Sequence, residues 1–79
     1  MITIKFISTD QNINFSTVAK ITDKFKKIED IVYNKYPEYL EYENIFLVGG
    51  KKINRNKTLE ENNIKDKDVL TLTKIDDDN

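Results

Sequence analysis

The sequence predicts an α+β domain in which one helix lies across a single face of a small mixed sheet. Three observations carry that expectation. Near the start, Ile2, Ile4 and Phe6 alternate with Thr3 and Lys5, and Ile13 and Phe15 resume the alternation after Thr9-Asp10-Gln11-Asn12. A period of two is that of half-buried strands, and the intervening residues are turn formers. Next, Val18, Ile21, Phe25, Ile28 and Val32 recur at steps of three and four, which places them on one helix face. Finally, Ile45-Phe46-Leu47-Val48 stops at Gly49-Gly50, and Leu70 and Leu72 alternate with Thr71 and Thr73. Both read as strands.

Each element has its own local reasons. The first two strands form a hairpin because only a short polar turn separates them. The helix has two possible starts: Ser16 or Thr17 would cap a long form, Thr22 or Asp23 a shorter one after a longer second strand. Pro37 bounds its far end, since the ring cannot continue a helix and disfavours helical geometry at Tyr36. Ile53 starts a brief return strand after the glycines. Thr58-Leu59-Glu60-Glu61 has the hydroxyl and acid three residues apart, as in a capping box, and predicts one short helical turn. Val69, Leu70, Leu72 and Ile75 mark the last strand. The first and last strands are expected side by side and parallel, because the chain between them carries the covering helix.

Composition narrows the function. Seventy-nine residues make one small domain with a thin core; residues 1–75 are expected to fold, and residues 76–79 form an acidic tail. There is no cysteine and no histidine, which removes disulfides, thiolate metal sites and the commonest general base. Absent cysteine suits an intracellular setting, cytoplasmic by default, with organellar import left open. No apolar run reaches the length of a membrane span, and residues 1–15 lack the pattern of a secretory signal. Net charge is −1, in alternating blocks: basic over residues 20–27, acidic over 29–43, basic over 51–57, acidic from Glu60 onward. Alternating blocks fit protein partners better than nucleic acid, which favours one sustained basic face.

Gly49-Gly50-Lys51-Lys52 is not a phosphate loop. Such a loop needs two glycines four residues apart, then Lys and Ser or Thr, opening a helix. The acids Glu60, Glu61 and Asp76 to Asp78 sit on a predicted turn and tail, with no cleft to perturb them. Asp76-Asp77-Asp78 lacks the spaced oxygen ligands and central glycine of a calcium loop. No catalytic residue, metal, cofactor or small-molecule substrate is expected.

The run "IFLVGGKKINRNKTLEENNIKDKDVLTLTKI" resembles ubiquitin and its β-grasp relatives. Phe46, Gly50, Lys51, Ile53, Thr58, Leu59, Asn63, Ile64, Leu70 and Leu72 match family positions without a gap. Upstream, "TVAKITDKF" is similar to the family's helix opening, which favours the longer helix, whereas total length favours the shorter. The resemblance implies a ubiquitin-like β-grasp with a mixed four- to five-stranded sheet. It also implies that Leu47 stands at the centre of an exposed recognition face flanked by Thr71 and Thr73, a reduced version of the family's apolar patch. Asn62 takes the place of a tyrosine that braces the neighbouring loop. Family members that are conjugated end in Gly-Gly; here Lys74-Ile75 leads into acids, so covalent attachment is not expected.

The expected role is therefore a non-covalent protein–protein interaction module, a small accessory subunit or adaptor of a larger complex. Its candidate contacts are Leu47, Gly49, Lys51, Lys52, Arg55, Thr71 and Thr73, with Tyr39 and Tyr42 from the loop after Pro37. Tyrosines combine contact area with a polar tip and serve as interface anchors. Tyr33 and Tyr36 are instead expected to close the core. Lys20, Lys24 and Lys27 are read as a basic helix face. A modifier with atypical maturation is the alternative, and a nucleic-acid-binding domain using residues 51–57 ranks last.

Overall fold

The computed structural model describes residues 1–75; the acidic tail at residues 76–79 lies outside the described residues. Five strands and one helix follow in the order β1 (Ile2–Ser8), β2 (Asn14–Ala19), α1 (Phe25–Lys35), a 3-10 segment (Pro37–Glu41), β3 (Asn44–Val48), β4 (Lys51–Lys52) and β5 (Val69–Lys74). They form one mixed sheet in the order β2-β1-β5-β3-β4. β1 and β5 run parallel, with Phe6 beside Leu70 and Ser8 beside Leu72, and the other pairings are antiparallel. This is a β-grasp-like α+β fold.

The period-two pattern sorts the sheet faces. Ile4, Phe6, Phe46, Leu70 and Leu72 point inward and are buried, meeting Phe25, Ile28 and Val32 from α1. Phe6, Phe25 and Phe46 lock three elements together, with ring centroids 5.1 Å apart for the α1–β3 pair and 5.9 Å for the β1–β3 pair. Offset and edge-on contacts of this kind add to the area they bury.

The helix takes its short form. Neither Thr22 nor Asp23 caps it; Lys24 occupies the cap position with no side-chain hydrogen bond. The first helical N–H groups go to a distant loop instead. Phe25 N–H donates to Lys57 C=O at 2.9 Å and Lys26 N–H to Arg55 C=O at 3.0 Å, so tertiary partners satisfy donors that a cap would otherwise take. The helical stripe is accordingly shorter than its spacing predicts. Val18 pairs with Thr3 on β2 and is 54% exposed, and Ile21 is exposed before the helix. The likeness of "TVAKITDKF" to a helix opening is not realised, because Thr17, Val18 and Ala19 end β2. The basic helix face is corrected too: of Lys20, Lys24 and Lys27 only Lys27 lies within α1, and it pairs with Asp23 at 3.6 Å. At the far end α1 stops at Lys35, and Pro37 opens the 3-10 segment.

Gly49 and Gly50 have φ of +57° and +80°. They are the two central residues between Val48 and Lys51, which pair across the hairpin. Positive φ at both positions is the requirement of a type I′ turn, whose twist suits a two-residue hairpin. Farther on, Thr58 and Glu61 exchange bonds: Glu61 N–H donates to Thr58 Oγ1 at 3.0 Å, and Thr58 N–H to Glu61 Oε1 at 2.9 Å. These bonds hold the Glu61 carboxyl below its ordinary range. One helical turn follows, with Asn62 N–H donating to Thr58 C=O.

Candidate functional site

One face of the sheet is covered by α1; among the described residues no element lies over the other. The uncovered face is built from the residues alternate to the core. Ile7 pairs with Thr71, Thr71 with Leu47, and Leu47 with Lys52, giving a continuous row across four strands. Thr73 pairs with Ile45 one step along, and Val69 with Lys5 on the other side. Leu47, Thr71, Thr73, Ile7 and Ile45 are half-buried, since each leans on its cross-strand neighbours. The face is thus a mixed surface: aliphatic positions set among threonine hydroxyls and bordered by Lys5 and Lys52.

The expected contact residues do not form a single surface. Leu47, Thr71, Thr73 and Lys52 come together on this face, with Gly49 exposed at the tip of the β3–β4 turn. Lys51 pairs with Val48, which packs against the core, so it stands on the opposite parity from Leu47. Arg55 lies past β4 on the helix side, where its Nε approaches Glu29 Oε1 at 3.2 Å. Ile7, Ile45, Val18 and Val69 belong with Leu47 and were not singled out by sequence. The signal was present in the strand alternation: in β1, β3 and β5 the residues out of phase with Phe6, Phe46 and Leu70 must share one face.

Tyr39 is a correction. Expected on a partner-facing loop, it is 2% exposed and part of the core. Its hydroxyl donates to Asp10 Oδ2, which also receives Lys74 Nζ at 3.5 Å, while Ser8 Oγ donates to Asp10 Oδ1. The Ser8 hydroxyl first, then the Tyr39 phenol, hold the Asp10 carboxyl far below the usual carboxylate range, with Asn12 N–H and Lys74 adding to them. Burial is the main cause that pushes the Tyr39 phenol up, and the Tyr33 phenol likewise. Tyr42 remains half exposed, and Lys74 Nζ sits 4.0 Å from its ring centroid. Tyr33 and Tyr36 pack partly buried against the core, as their position at the helix end predicts.

Asn62 braces its own loop through its side-chain amide. Its Oδ1 accepts from Asn54 N–H at 2.8 Å, and its Nδ2 donates to Asn54 C=O at 2.9 Å and Thr58 C=O at 3.0 Å. One amide side chain therefore closes the loop whose carbonyls receive the start of α1.

With the face and its borders placed, the comparisons add nothing to them: neither a protein-family model nor a curated protein matches the chain. Among the described residues no group of three His, Cys, Asp or Glu side chains stands close enough to hold a metal ion. No helix among the described residues is long and apolar enough to cross a membrane.

Proposed function

We propose that the chain is a ubiquitin-like, non-enzymatic module that binds other proteins non-covalently, as an accessory subunit or adaptor of a larger assembly. One observation carries this reading: among the described residues the sheet has an uncovered face on which Ile7, Ile45, Leu47, Val18 and Val69 are gathered around Thr71 and Thr73. The β-grasp-like topology and the resemblance of the run from Phe46 to Leu72 to ubiquitin's relatives support it. Binding would bury the aliphatic groups, while the threonine hydroxyls and Lys52 set orientation through polar contacts at the edge. With hydroxyls in flanking positions the apolar area is small, so the association is moderate and reversible.

The test is affinity purification from native extract with wild type, Leu47→Asp, and Asn34→Asp on the exposed side of α1. The reading expects specific partners to be retained by wild type and Asn34→Asp and lost with Leu47→Asp, with all three variants melting cooperatively. Retention of every partner by folded Leu47→Asp removes the sheet face from the proposal.

A further inference from the structure

β3 is paired along its length on one side and for only part of it on the other. β5 matches it from Asn44 to Val48, whereas β4 meets only Leu47 and Val48. Beyond β4, Ile53 N–H still donates to Phe46 C=O at 2.8 Å, and then the chain turns away. In an antiparallel strand the N–H and C=O of one residue point to the same side, alternating along the strand. Glu43 C=O receives Ile75 N–H on the β5 side, and Phe46 points to the β4 side. The main chain of Asn44 therefore faces away from β5, where no strand pairs with it among the described residues.

That bare edge opens into a cleft of about 900 Å³ between α1, residues 40–43 and residues 52–55. Its chemistry is specific. Leu40, 65% exposed, Tyr42 and Ile75 place unburied apolar surface around it. Asn44 Oδ1 is buried with no donor, and Glu29, 6% exposed, meets Arg55 at 3.2 Å but accepts no hydrogen bond through Oε1. Asp30 and Glu43 add exposed carboxylates to the lining. The lining thus carries three carboxylates, Glu29, Asp30 and Glu43, against two cations, Arg55, which is engaged with Glu29, and Lys52, so it is net negative.

We propose that this cleft is a second docking site, which takes an extended basic peptide segment of a partner protein. The segment's backbone pairs with the β3 edge at Asn44, in the manner of an added strand. A Lys or Arg side chain of the segment lies against the exposed carboxylates of Asp30 and Glu43. Its apolar neighbours cover Leu40, Tyr42 and Ile75. An acidic segment would meet like charge, and a purely apolar one would cover the Asp30 and Glu43 carboxylates without pairing them. The site adjoins the face around Leu47, sharing Ile45 and Lys52 with it, but Leu47 itself lies outside the cleft.

Selection of a phage-displayed random octapeptide library on the full chain tests this. The expected winners alternate apolar residues with Lys or Arg. A synthetic peptide from that set shifts the amide resonances of Asn44, Ile45 and Tyr42, binds more weakly as salt is raised, and loses about tenfold or more in affinity with Asp30→Lys plus Glu43→Lys. Both substituted residues are exposed, and the unperturbed remainder of the amide spectrum reports that the fold is kept. The same peptide with Glu in place of its basic residue fails to bind wild type, and Leu47→Asp leaves affinity within about twofold. Enrichment of acidic peptides, enrichment of none, shifts confined to the outer sheet face, or indifference to the charge reversal each overturns the proposal.

Discussion

The Tyr39 hydroxyl donates to the carboxylate of Asp10, tying the loop after Pro37 to the β1–β2 hairpin across twenty-nine residues of sequence. The bond joins a buried phenol to a carboxylate that also receives Ser8 Oγ and faces Lys74. Removing the phenol oxygen leaves the ring packing in place and takes away one charge-assisted hydrogen bond. Tyr39→Phe should therefore cost about 1–2 kcal/mol in urea unfolding, while leaving partner binding unchanged because the ring is not exposed.

The same network sets an acid limit. The folded-state pKa of Asp10 is depressed, so its contribution is complete above the unfolded carboxylate value of about 4 and is lost as pH falls below it. The phenols of Tyr33 and Tyr39 are raised; the unfolded chain releases those protons first, so stability falls as pH rises beyond about 10. Melting temperature against pH should decline at both ends. Asp10→Asn should flatten the acid limb and weaken the alkaline limb without abolishing it, because Asp10 also helps to raise Tyr39 while burial still raises both phenols. An unchanged acid limb in that variant would show that other carboxylates carry it.

The strands were legible because their information is local: Ile4, Phe6, Leu70 and Leu72 announce a core face by alternation alone. The glycine pair was legible for the same reason, since two adjacent glycines before a return strand have few other uses. The helix start was not. Its N–H groups go to Arg55 and Lys57, some thirty residues away, and no pattern around Thr22 encodes that. Tyr39 was misplaced because a three-residue recurrence around Pro37 has no period to orient it. Its hydroxyl is satisfied by Asp10, a partner from the distant β1–β2 turn. The face around Leu47 was half legible: Thr71 and Thr73 were placed by resemblance, whereas Ile7 and Ile45 needed strand register. Arg55 went elsewhere because the chain leaves the sheet after Lys52.

Gly49 and Gly50 give a prediction that separates strain from crowding. A Cβ added at either position meets nothing within 4 Å, so any cost of Gly→Ala comes from the positive φ. A left-handed conformation costs an L-residue about 1–2 kcal/mol. Gly49→Ala and Gly50→Ala should each destabilise by that amount, and Gly49→Asn by less, because Asn visits this region more readily. Equilibrium unfolding of the three variants measures it. Equal effects of Ala and Asn at position 49 would count against the type I′ assignment.

Asn62 holds the loop that receives α1, so its loss should be felt at a distance. Asn62→Ala removes the acceptor for Asn54 N–H and the donors to Asn54 and Thr58 carbonyls. A cost of about 1–2 kcal/mol is expected, since part of the loop regains water. Amide exchange should speed up at Asn54 and also at Phe25 and Lys26, which donate to that loop. Faster exchange at Asn54 with Phe25 unchanged would mean that the helix start is held independently of the brace.

Glu29 and Arg55 make the sharpest asymmetry. Glu29 is buried at 6% exposure against the aromatic core, and Arg55 is the cation beside it, at 3.2 Å. Removing the cation leaves a buried carboxylate without its counter-charge, which costs about 1–3 kcal/mol. Removing the carboxylate leaves an exposed guanidinium that water solvates, and an apolar residue of similar size fits beside Phe25 and Phe46. Arg55→Ala should thus destabilise clearly, whereas Glu29→Leu should be close to neutral or stabilising, as for other buried pairs replaced by apolar groups. Urea midpoints of the two single variants and the double variant decide it. The order of stability should be Glu29→Leu above Arg55→Ala, with Arg55→Ala costing little once Leu stands at position 29. The reverse order would mean that the pair contributes net attraction rather than relieving a buried charge.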